Sequence, residues 1–173
     1  AATPPAAPES FDALLRDLDG PILEGLTHWQ SPNFYAFFPA NTTFPSILGD
    51  LVSSGLGVNG FSWATSPAVT ELETLMLDWM VDLLDLPDHF RGNGVIQDSA
   101  SSATLCAILA ARQRAGVAAD RLVAYCTAQA HSSIEKGLRV AGVGIDQIRV
   151  VPHDDAFAMV PDALAAAIAT DVA

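Results

Sequence analysis

The architecture is indicated most clearly by residues 94–151, which read GVIQDSASSATLCAILAARQRAGVAADRLVAYCTAQAHSSIEKGLRVAGVGIDQIRVV. Short β-branched runs alternate here with longer segments of helical periodicity. The predicted elements are, in order, a strand over 94–97, a helix over 100–114, a strand over 121–126, a helix from about 132 to 140 and a strand over 148–151. Strands separated by helices require right-handed crossovers, so the sequence predicts an α/β fold with a largely parallel sheet covered on both faces.

The flanking sequence extends this pattern in both directions. Downstream, an Ala-rich helix is predicted from Pro161 to Thr170, after which a fourth strand is due. Upstream, Ser66 and Pro67 predict the start of a helix that continues to about Leu83. Its apolar stripe, which includes Trp79, is most simply interpreted as core packing.

The first 60 residues predict an irregular arm. Residues 1–10 are Pro- and Ala-rich and form an expected flexible lead-in. A short amphipathic helix starts at Phe11 and is stopped by Gly20 and Pro21. Residues 28–43 are dense in aromatics and turn formers and predict a structured loop, and a helix is expected from Pro45 to about Leu56.

The composition narrows the possible functions. Asp and Glu number 20 against 8 Lys and Arg, and the basic residues do not cluster, so nucleic acid is not an expected partner. Mean hydropathy is +0.31, yet no apolar run approaches the ~20 residues of a membrane span. The surplus apolar surface is therefore expected at a subunit interface or against further chain. Cys106 and Cys126 are unpaired in spacing and predict buried thiols in a reducing compartment, which indicates a cytoplasmic protein.

Two strand-to-helix junctions contain candidate ligand-binding or catalytic residues. At residues 97–104, QDSASSAT, small and hydroxyl side chains begin a helix, where free N–H groups favour a phosphate, although Ser and Thr also cap helices for structural reasons. Asp98 counts against a bare anion site unless it points away. His131 follows the second predicted strand, at the edge where α/β sheets bind ligands, but a helix-start role is equally open.

Other site types are not supported. A Ser-His-Asp hydrolase is set aside because no GxSxG elbow follows a strand. No metal site is predicted, because His28, His89 and His153 are scattered without ligand spacing.

Four ordered blocks resemble the group II pyridoxal phosphate dependent decarboxylases, of the aromatic L-amino acid, tyrosine and tryptophan decarboxylase type. The blocks are HWQSPNFYAFFP (28–39), GFSWATSPAVTELETLMLDWM (60–80), GVIQDSASSATLCAILAAR (94–112) and LVAYCTAQAHSSIEKG (122–137). The resemblance implies the fold-type I, aspartate aminotransferase-like architecture, here an N-terminal helical arm and the first part of the large-domain sheet. It also implies pyridoxal 5'-phosphate as cofactor.

The resemblance assigns roles to single residues. It implies that Ala100 and Ser101, with Ser99 beside them, bind the cofactor phosphate. His131 matches the histidine that stacks on the pyridine ring and assists proton handling near the substrate carboxylate. The substrate pocket that the resemblance implies comprises Trp29, Phe37, Phe38, Pro39, Ala40, Asn59 and Phe61. Asn59 and Phe61 would reach the active site of a neighbouring subunit, so a homodimer with shared active sites is expected.

The cofactor lysine is expected outside this sequence. Lys136 is the single lysine and matches a variable basic position of the motif, so it is rejected as the Schiff-base residue. The resemblance places the cofactor lysine and the pyridinium-pairing aspartate downstream, so the remainder of the decarboxylase chain is an expected partner. The sequence departs from the family pattern at five positions, which are Phe37, Ala40, Asn59, Asp98 and Ser102.

Together these observations predict decarboxylation of an L-amino acid, a carboxy-lyase step of carboxylic acid metabolism. An aromatic substrate is favoured because the pocket segment is apolar and lacks Arg. The predicted organisation is a lead-in (1–10), an arm and dimer-interface segment (11–86) and the first part of the cofactor-binding domain (87–173). Alternatives are an aldehyde synthase or acidic amino acid decarboxylase on the same fold, or an isolated non-catalytic fragment or assembly subunit that needs a partner chain.

Overall fold

A computed structural model of the chain describes residues 6–172. The chain divides into two compact units, one up to Val69 and one from Thr70 onward. The predicted lead-in lies partly outside the described residues. The functional division at residue 86, with its dimer-interface segment, remains a prediction.

The first unit contains the predicted arm and one well-formed helix. Helix α1 (Phe11–Asp17) leads through a wide turn over Leu18–Ile22 into a short α2 (Leu23–Gly25). The backbone leaves the helical region at Gly20 (φ −102°, ψ −108°), because the residue before a proline is disfavoured in the α conformation. Residues 26–43 contain no helix or strand, as predicted.

Helix α3 (Phe44–Leu56) agrees closely with its prediction. Thr43 and Ser46 form a reciprocal capping box, in which the Thr43 hydroxyl accepts from the Ser46 N–H at 3.4 Å. Gly57 ends the helix in the left-handed conformation (φ 59°), which a residue with a Cβ adopts at a cost.

Helix α4 (Pro67–Leu83) also begins where the sequence predicts. The expectation that its apolar stripe is core is wrong for this chain. Only Val81 of the helix is buried, and Trp79 is 54% exposed. Periodicity identifies the apolar face of a helix, but it does not show that anything covers that face.

The second unit contains the α/β segment. Its remaining elements are α5 (Ala100–Ala115), β1 (Ala124–Thr127), α6 (Ser133–Val140), β2 (Ile148–Val151) and α7 (Pro161–Val172). Strands β1 and β2 are parallel and in register from Ala124 opposite Ile148 to Thr127 opposite Val151. The predicted parallel pairing is therefore confirmed, and α6 is the crossover helix between the two strands.

The strand predicted over 94–97 is wrong. In the described chain this segment has no strand neighbour, and Val95 and Ile96 are about two-thirds exposed, at 64% and 65%. The N–H of Ile96 donates instead to the Glu73 carboxylate at 2.8 Å. A β-branched run gains strand geometry only from a neighbour with which it can form a ladder.

The buried apolar side chains of the second unit come from α4, from α6 and the turn after it, and from β2, and together they form its core. It comprises Val81, Leu138, Ala141, Val143 and Val151. Helices α5 and α6 pack closely because Gly137 has no side chain, and a Cβ there would meet Ile108 Cδ1 at 3.0 Å. Gly137 thus allows α6 to pack closely against the part of α5 that contains Thr104, Leu105 and Ile108.

An ion pair fastens the last helix to the sheet. The Arg149 guanidinium of β2 donates to both carboxylate oxygens of Asp171 in α7, with Nε 3.1 Å from each. The Tyr125 hydroxyl of β1 donates to Asp171 Oδ2 at 2.8 Å. Three elements therefore meet at one carboxylate whose side chain is only 14% exposed.

Two further sequence expectations have direct structural outcomes. Cys106 and Cys126 are free thiols, but Cys106 is exposed and Cys126 is only half-buried, so the prediction of two buried thiols is wrong. The reason is that Cys106 lies on an α5 face that no described element covers. Within residues 6–172, no helix has the length and apolar character needed to cross a bilayer.

Candidate functional site

The start of α5 presents unpaired hydrogen-bond donors. Ser99 is the N-cap, and its hydroxyl accepts from the Ser102 N–H at 3.2 Å. In the part of the chain that the structure describes, the N–H groups of Ala100 and Ser101 have no hydrogen-bond partner, nor does the Ser101 hydroxyl. Because these groups stand at the positive end of a 16-residue helix, they form a donor set suited to an anion.

The ring of His131 is held by one neighbour. The Ser133 N–H donates to His131 Nδ1 at 3.2 Å, and the Ser133 hydroxyl lies 3.0 Å from the same atom. An accepting Nδ1 means that the neutral ring has its proton on Nε2. Ser133 is buried and holds one edge of the exposed ring, while Nε2 has no hydrogen-bond partner among the described residues.

The two predicted junctions lie beside each other. Ser101 of α5 and Ser133 of α6 line one open cavity of about 200 Å³, together with Lys136 and Gly137. Ser133 is also the residue that holds the His131 ring. The start of α5 and the segment containing His131 therefore meet at the start of α6.

A second cavity lies at the carboxyl edge of the sheet. It has a volume of about 160 Å³ and is lined by His131, Thr127 and Glu135, with the side of β2 at Ile148 and Val150. His131 thus lies where ligands bind in open α/β sheets.

The aromatic residues assigned to the substrate pocket lie in the first unit. Trp29 stacks on Phe34 and Phe37, with ring centroids 5.0 and 5.5 Å apart. The Gln30 side-chain amide donates to the Ala40 carbonyl at 2.8 Å and closes the loop. Trp29 and Phe37 are therefore brought together, whereas Phe38 is 97% exposed and Pro39 is exposed beside it.

Asn59 and Phe61 occupy the turns between α3 and α4. The Thr65 hydroxyl donates to the Asn59 carbonyl at 2.8 Å, which fixes the turn, and Phe61 is 78% exposed. Both side chains are exposed on the surface of the first unit. Their predicted role in a neighbouring subunit's site remains a proposal.

Sequence reasoning missed a pair of polar residues at the sheet edge. Gln129 follows β1 and His153 follows β2, and their side-chain nitrogens are 3.3 Å apart. From the sequence, His153 was considered only as one of three histidines without metal-ligand spacing. Their positions directly after two parallel strands were a signal that could have identified them, because such residues share one edge of the sheet.

Comparisons with known proteins show the family of the chain. The model of the pyridoxal-dependent decarboxylase conserved domain matches residues 1–173. An aromatic-L-amino-acid decarboxylase of Sus scrofa is 42% identical over 99% of this chain, and a phenylacetaldehyde synthase of Arabidopsis thaliana is 42% identical over 97%. The crystal structure of Catharanthus roseus tryptophan decarboxylase in complex with L-tryptophan superposes with a TM-score of 0.93 at 38% identity, over 99% of this chain.

The chain belongs to the pyridoxal-dependent decarboxylase family. Its fold is the α/β, fold-type I architecture of that family. The chain spans 39% of the length of the porcine relative, 36% of the Arabidopsis relative and 39% of the Catharanthus structure.

The residues present fit the family's cofactor. A phosphate group needs convergent N–H and O–H donors, which the start of α5 offers in the unpaired groups of Ala100 and Ser101. A pyridine ring needs a flat partner with a fixed tilt, which the tethered imidazole of His131 provides. Asp98 is exposed next to the donor set, and its carboxylate disfavours an anion there.

Proposed function

We propose that this chain provides the phosphate-binding and ring-stacking half of the active site of a pyridoxal phosphate dependent L-amino acid decarboxylase. One observation supports the proposal most strongly. Ser101, which follows Ala100 in the unpaired donor set, lines a cavity with Ser133, and the same Ser133 holds the ring of His131. Family membership supplies the reaction class.

In this proposal each chain residue has a separate task. Ala100 N–H and Ser101 N–H and O–H bind the phosphate, while Ser99 keeps α5 capped so that these donors stay aligned. The imidazole face of His131 sets the tilt of the cofactor ring. Its Nε2–H edge is free to hold or pass a proton beside the reacting carboxylate. When bound, pyridoxal phosphate supplies an electron-poor ring that takes up the electron pair left at Cα as carbon dioxide departs.

We propose an aromatic amino acid as substrate. The loop of the first unit offers stacked aromatic rings at Trp29 and Phe37, with no Arg between residues 17 and 90 to pair an acidic side chain. The porcine relative is an aromatic-L-amino-acid decarboxylase, which supports the same class. Pocket roles for Phe38, Pro39, Ala40, Asn59 and Phe61 are part of this proposal.

A second function is favoured by one observation. The Arabidopsis phenylacetaldehyde synthase is as similar in sequence as the porcine decarboxylase, at 42% identity each. An aldehyde-forming variant of the reaction on the same site is therefore the alternative proposal. The products distinguish the two. A decarboxylase releases carbon dioxide and an amine, whereas the aldehyde-forming reaction consumes dioxygen and water and releases carbon dioxide, an aldehyde, ammonia and hydrogen peroxide.

The proposal extends to the assembly. Two copies pair so that Asn59 and Phe61 of one subunit reach the site of the other, and further chain supplies the cofactor lysine and its partner aspartate. The exposure of Phe61 and of the apolar face of α4 supports a covered interface. Location in the cytoplasm stays a prediction from the two thiols.

The proposal is tested with the natural protein that contains this sequence, loaded with pyridoxal phosphate. It is incubated with aromatic, acidic and aliphatic L-amino acids, while carbon dioxide, amine and aldehyde are measured separately. We expect carbon dioxide and amine in equal amounts from an aromatic substrate. Aldehyde in place of amine would establish the alternative, and no carbon dioxide from any amino acid would refute the proposed function.

A further inference from the structure

We infer that His153 is a positioning residue that orients the loop containing His131, acting through Gln129. This inference rests on the proposed function, in which His131 faces the cofactor ring. It concerns the two residues that lie at the same sheet edge and were not assigned a role above.

The orientation of the His153 ring follows from its hydrogen bonds. Its Nδ1 lies 2.9 Å from the carbonyl oxygen of Asp154, which can only accept, so Nδ1 bears the proton. In the neutral ring Nε2 is then an acceptor. The Gln129 side-chain amide, 3.3 Å away, donates to it.

A tight turn fixes the ring in this orientation. The Asp154 carboxylate accepts from the N–H groups of Ala156 and Ala158, both at 2.9 Å. Phe157 takes the left-handed conformation (φ 63°) there and places its ring 5.4 Å from that of His153. His153 is half-buried, whereas Gln129 is exposed, so the histidine is the anchored member of the pair.

Gln129 connects His153 to the segment that precedes His131. Its own N–H donates to the Thr127 hydroxyl at 3.3 Å, and the N–H of Ala130 donates to the Thr127 carbonyl at 3.1 Å. The loop from β1 to His131 is thus tied locally to β1 and, across the sheet edge, to the residue that follows β2. Without the contact to His153, the side-chain hydrogen bonds that remain to this segment among the described residues come from Thr127 and Ser133.

The test compares His153→Phe, which keeps a ring against Phe157 but removes both nitrogens, with His153→Gln, which keeps an acceptor for Gln129. His89→Phe is the matched control. The ring centroid of His89 also lies close to that of a phenylalanine, 4.6 Å from Phe90, but His89 is before α5 and outside the loop that contains His131. Gln129→Ala removes the same hydrogen bond from the other side. It keeps the inference testable if His153→Phe fails to fold.

Two readouts are measured on the natural protein. The first is amide hydrogen exchange of the cofactor-free protein over residues 128–134. We expect faster exchange in His153→Phe and Gln129→Ala, and wild-type exchange in His153→Gln and His89→Phe. The second is the decarboxylation rate of the loaded protein, where kcat should fall about 2- to 10-fold, as for one neutral hydrogen bond, with KM little changed.

The outcomes separate this inference from the proposed function. If wild-type protein releases no carbon dioxide, the proposed function fails, and the exchange data alone show whether His153 orders the segment that contains His131. Unchanged exchange and unchanged kcat in both His153→Phe and Gln129→Ala would overturn the inference. A double variant that loses about as much as either single variant supports it, because both then remove one shared contact.

Discussion

Two neighbouring serines at the start of α5 have different tasks. The Ser99 hydroxyl is engaged as the helix cap, accepting from the N–H of Ser102 at 3.2 Å. The hydroxyl of Ser101 has no partner within the described chain and lines the cavity shared with Ser133. The sequence alone could not separate the two, because both serines precede the same apolar helix. Capping and anion binding are therefore complementary here, each using a different residue.

Substitution of each serine should have a different effect. Ser101→Ala in the natural protein should weaken pyridoxal phosphate binding about tenfold, as expected for one hydrogen bond to a charged group, without destabilising the cofactor-free protein. Ser99→Ala should lower the free energy of unfolding by about 1 kcal/mol through loss of the cap. Cofactor titration and denaturant unfolding of both variants measure the two effects. Equal cofactor affinity in wild type and Ser101→Ala would contradict the assignment of the Ser101 hydroxyl.

For His131, the position was predictable from the sequence, but the contacts of its ring were not. Its place after a strand indicated a functional edge, but the sequence left a helix-start role equally open. The structure adds the tether to Ser133, which fixes the tautomer. Gln129 and His153 were not predicted as a pair, although both follow strands predicted to be parallel, because the turn by which Asp154 orients the His153 ring is not visible in the sequence pattern.

At the level of elements, most helices were predicted to within a few residues because caps and breakers marked their ends. Ser99 caps the start of α5, and Gly57 and Gly116 end α3 and α5 in the left-handed conformation. The segment 94–97 failed because strand formation depends on a neighbour that the sequence pattern does not reveal. The prediction that the apolar stripe of α4 is buried was wrong for a related reason. A helical pattern identifies an apolar face but not what covers that face.

The junction of β1, β2 and α7 has a definite electrostatic state. Hydrogen bonds from the Arg149 guanidinium, and then from the Tyr125 hydroxyl, lower the pKa of Asp171 below its ordinary value of 3.8. Desolvation, together with the Asp171 carboxylate, raises the pKa of Tyr125 above its ordinary 10.0. The carboxylate is therefore charged throughout the neutral range and holds α7 against the sheet.

Linkage gives the sign of the pH dependence. Because the folded pKa of Asp171 is depressed, its stabilisation is complete above the unfolded value near 3.8 and is lost as the pH falls through the lower folded value. Asp171→Asn should thus lower the free energy of unfolding at neutral pH, and its difference from wild type should shrink in stronger acid.

Denaturant unfolding of the natural protein at a series of pH values measures this difference. Asp155→Asn is the matched control, because Asp155 is an exposed carboxylate on the turn before α7. The control should unfold like wild type across the series. A difference for Asp171→Asn that is as large in strong acid as at neutral pH would show that the ion pair is not its cause.

For the whole molecule, the main feature is apolar surface that the described chain does not cover. Large side chains are exposed along α3 and α4, including Leu51, Leu72 and Trp79. The high mean hydropathy predicted such a surplus from composition alone. What covers this surface could not be predicted from these residues, because an interface is a property of both partners.

The central claim is that the start of α5 and the ring of His131 form one half of a cofactor site. The most direct measurement is a crystal structure of the natural protein with pyridoxal phosphate bound. We expect the phosphate oxygens at hydrogen-bonding distance, about 2.7–3.2 Å, from the Ala100 and Ser101 amides, with the His131 ring stacked on the pyridine. A phosphate bound elsewhere, or His131 turned away from the cofactor ring, would contradict it.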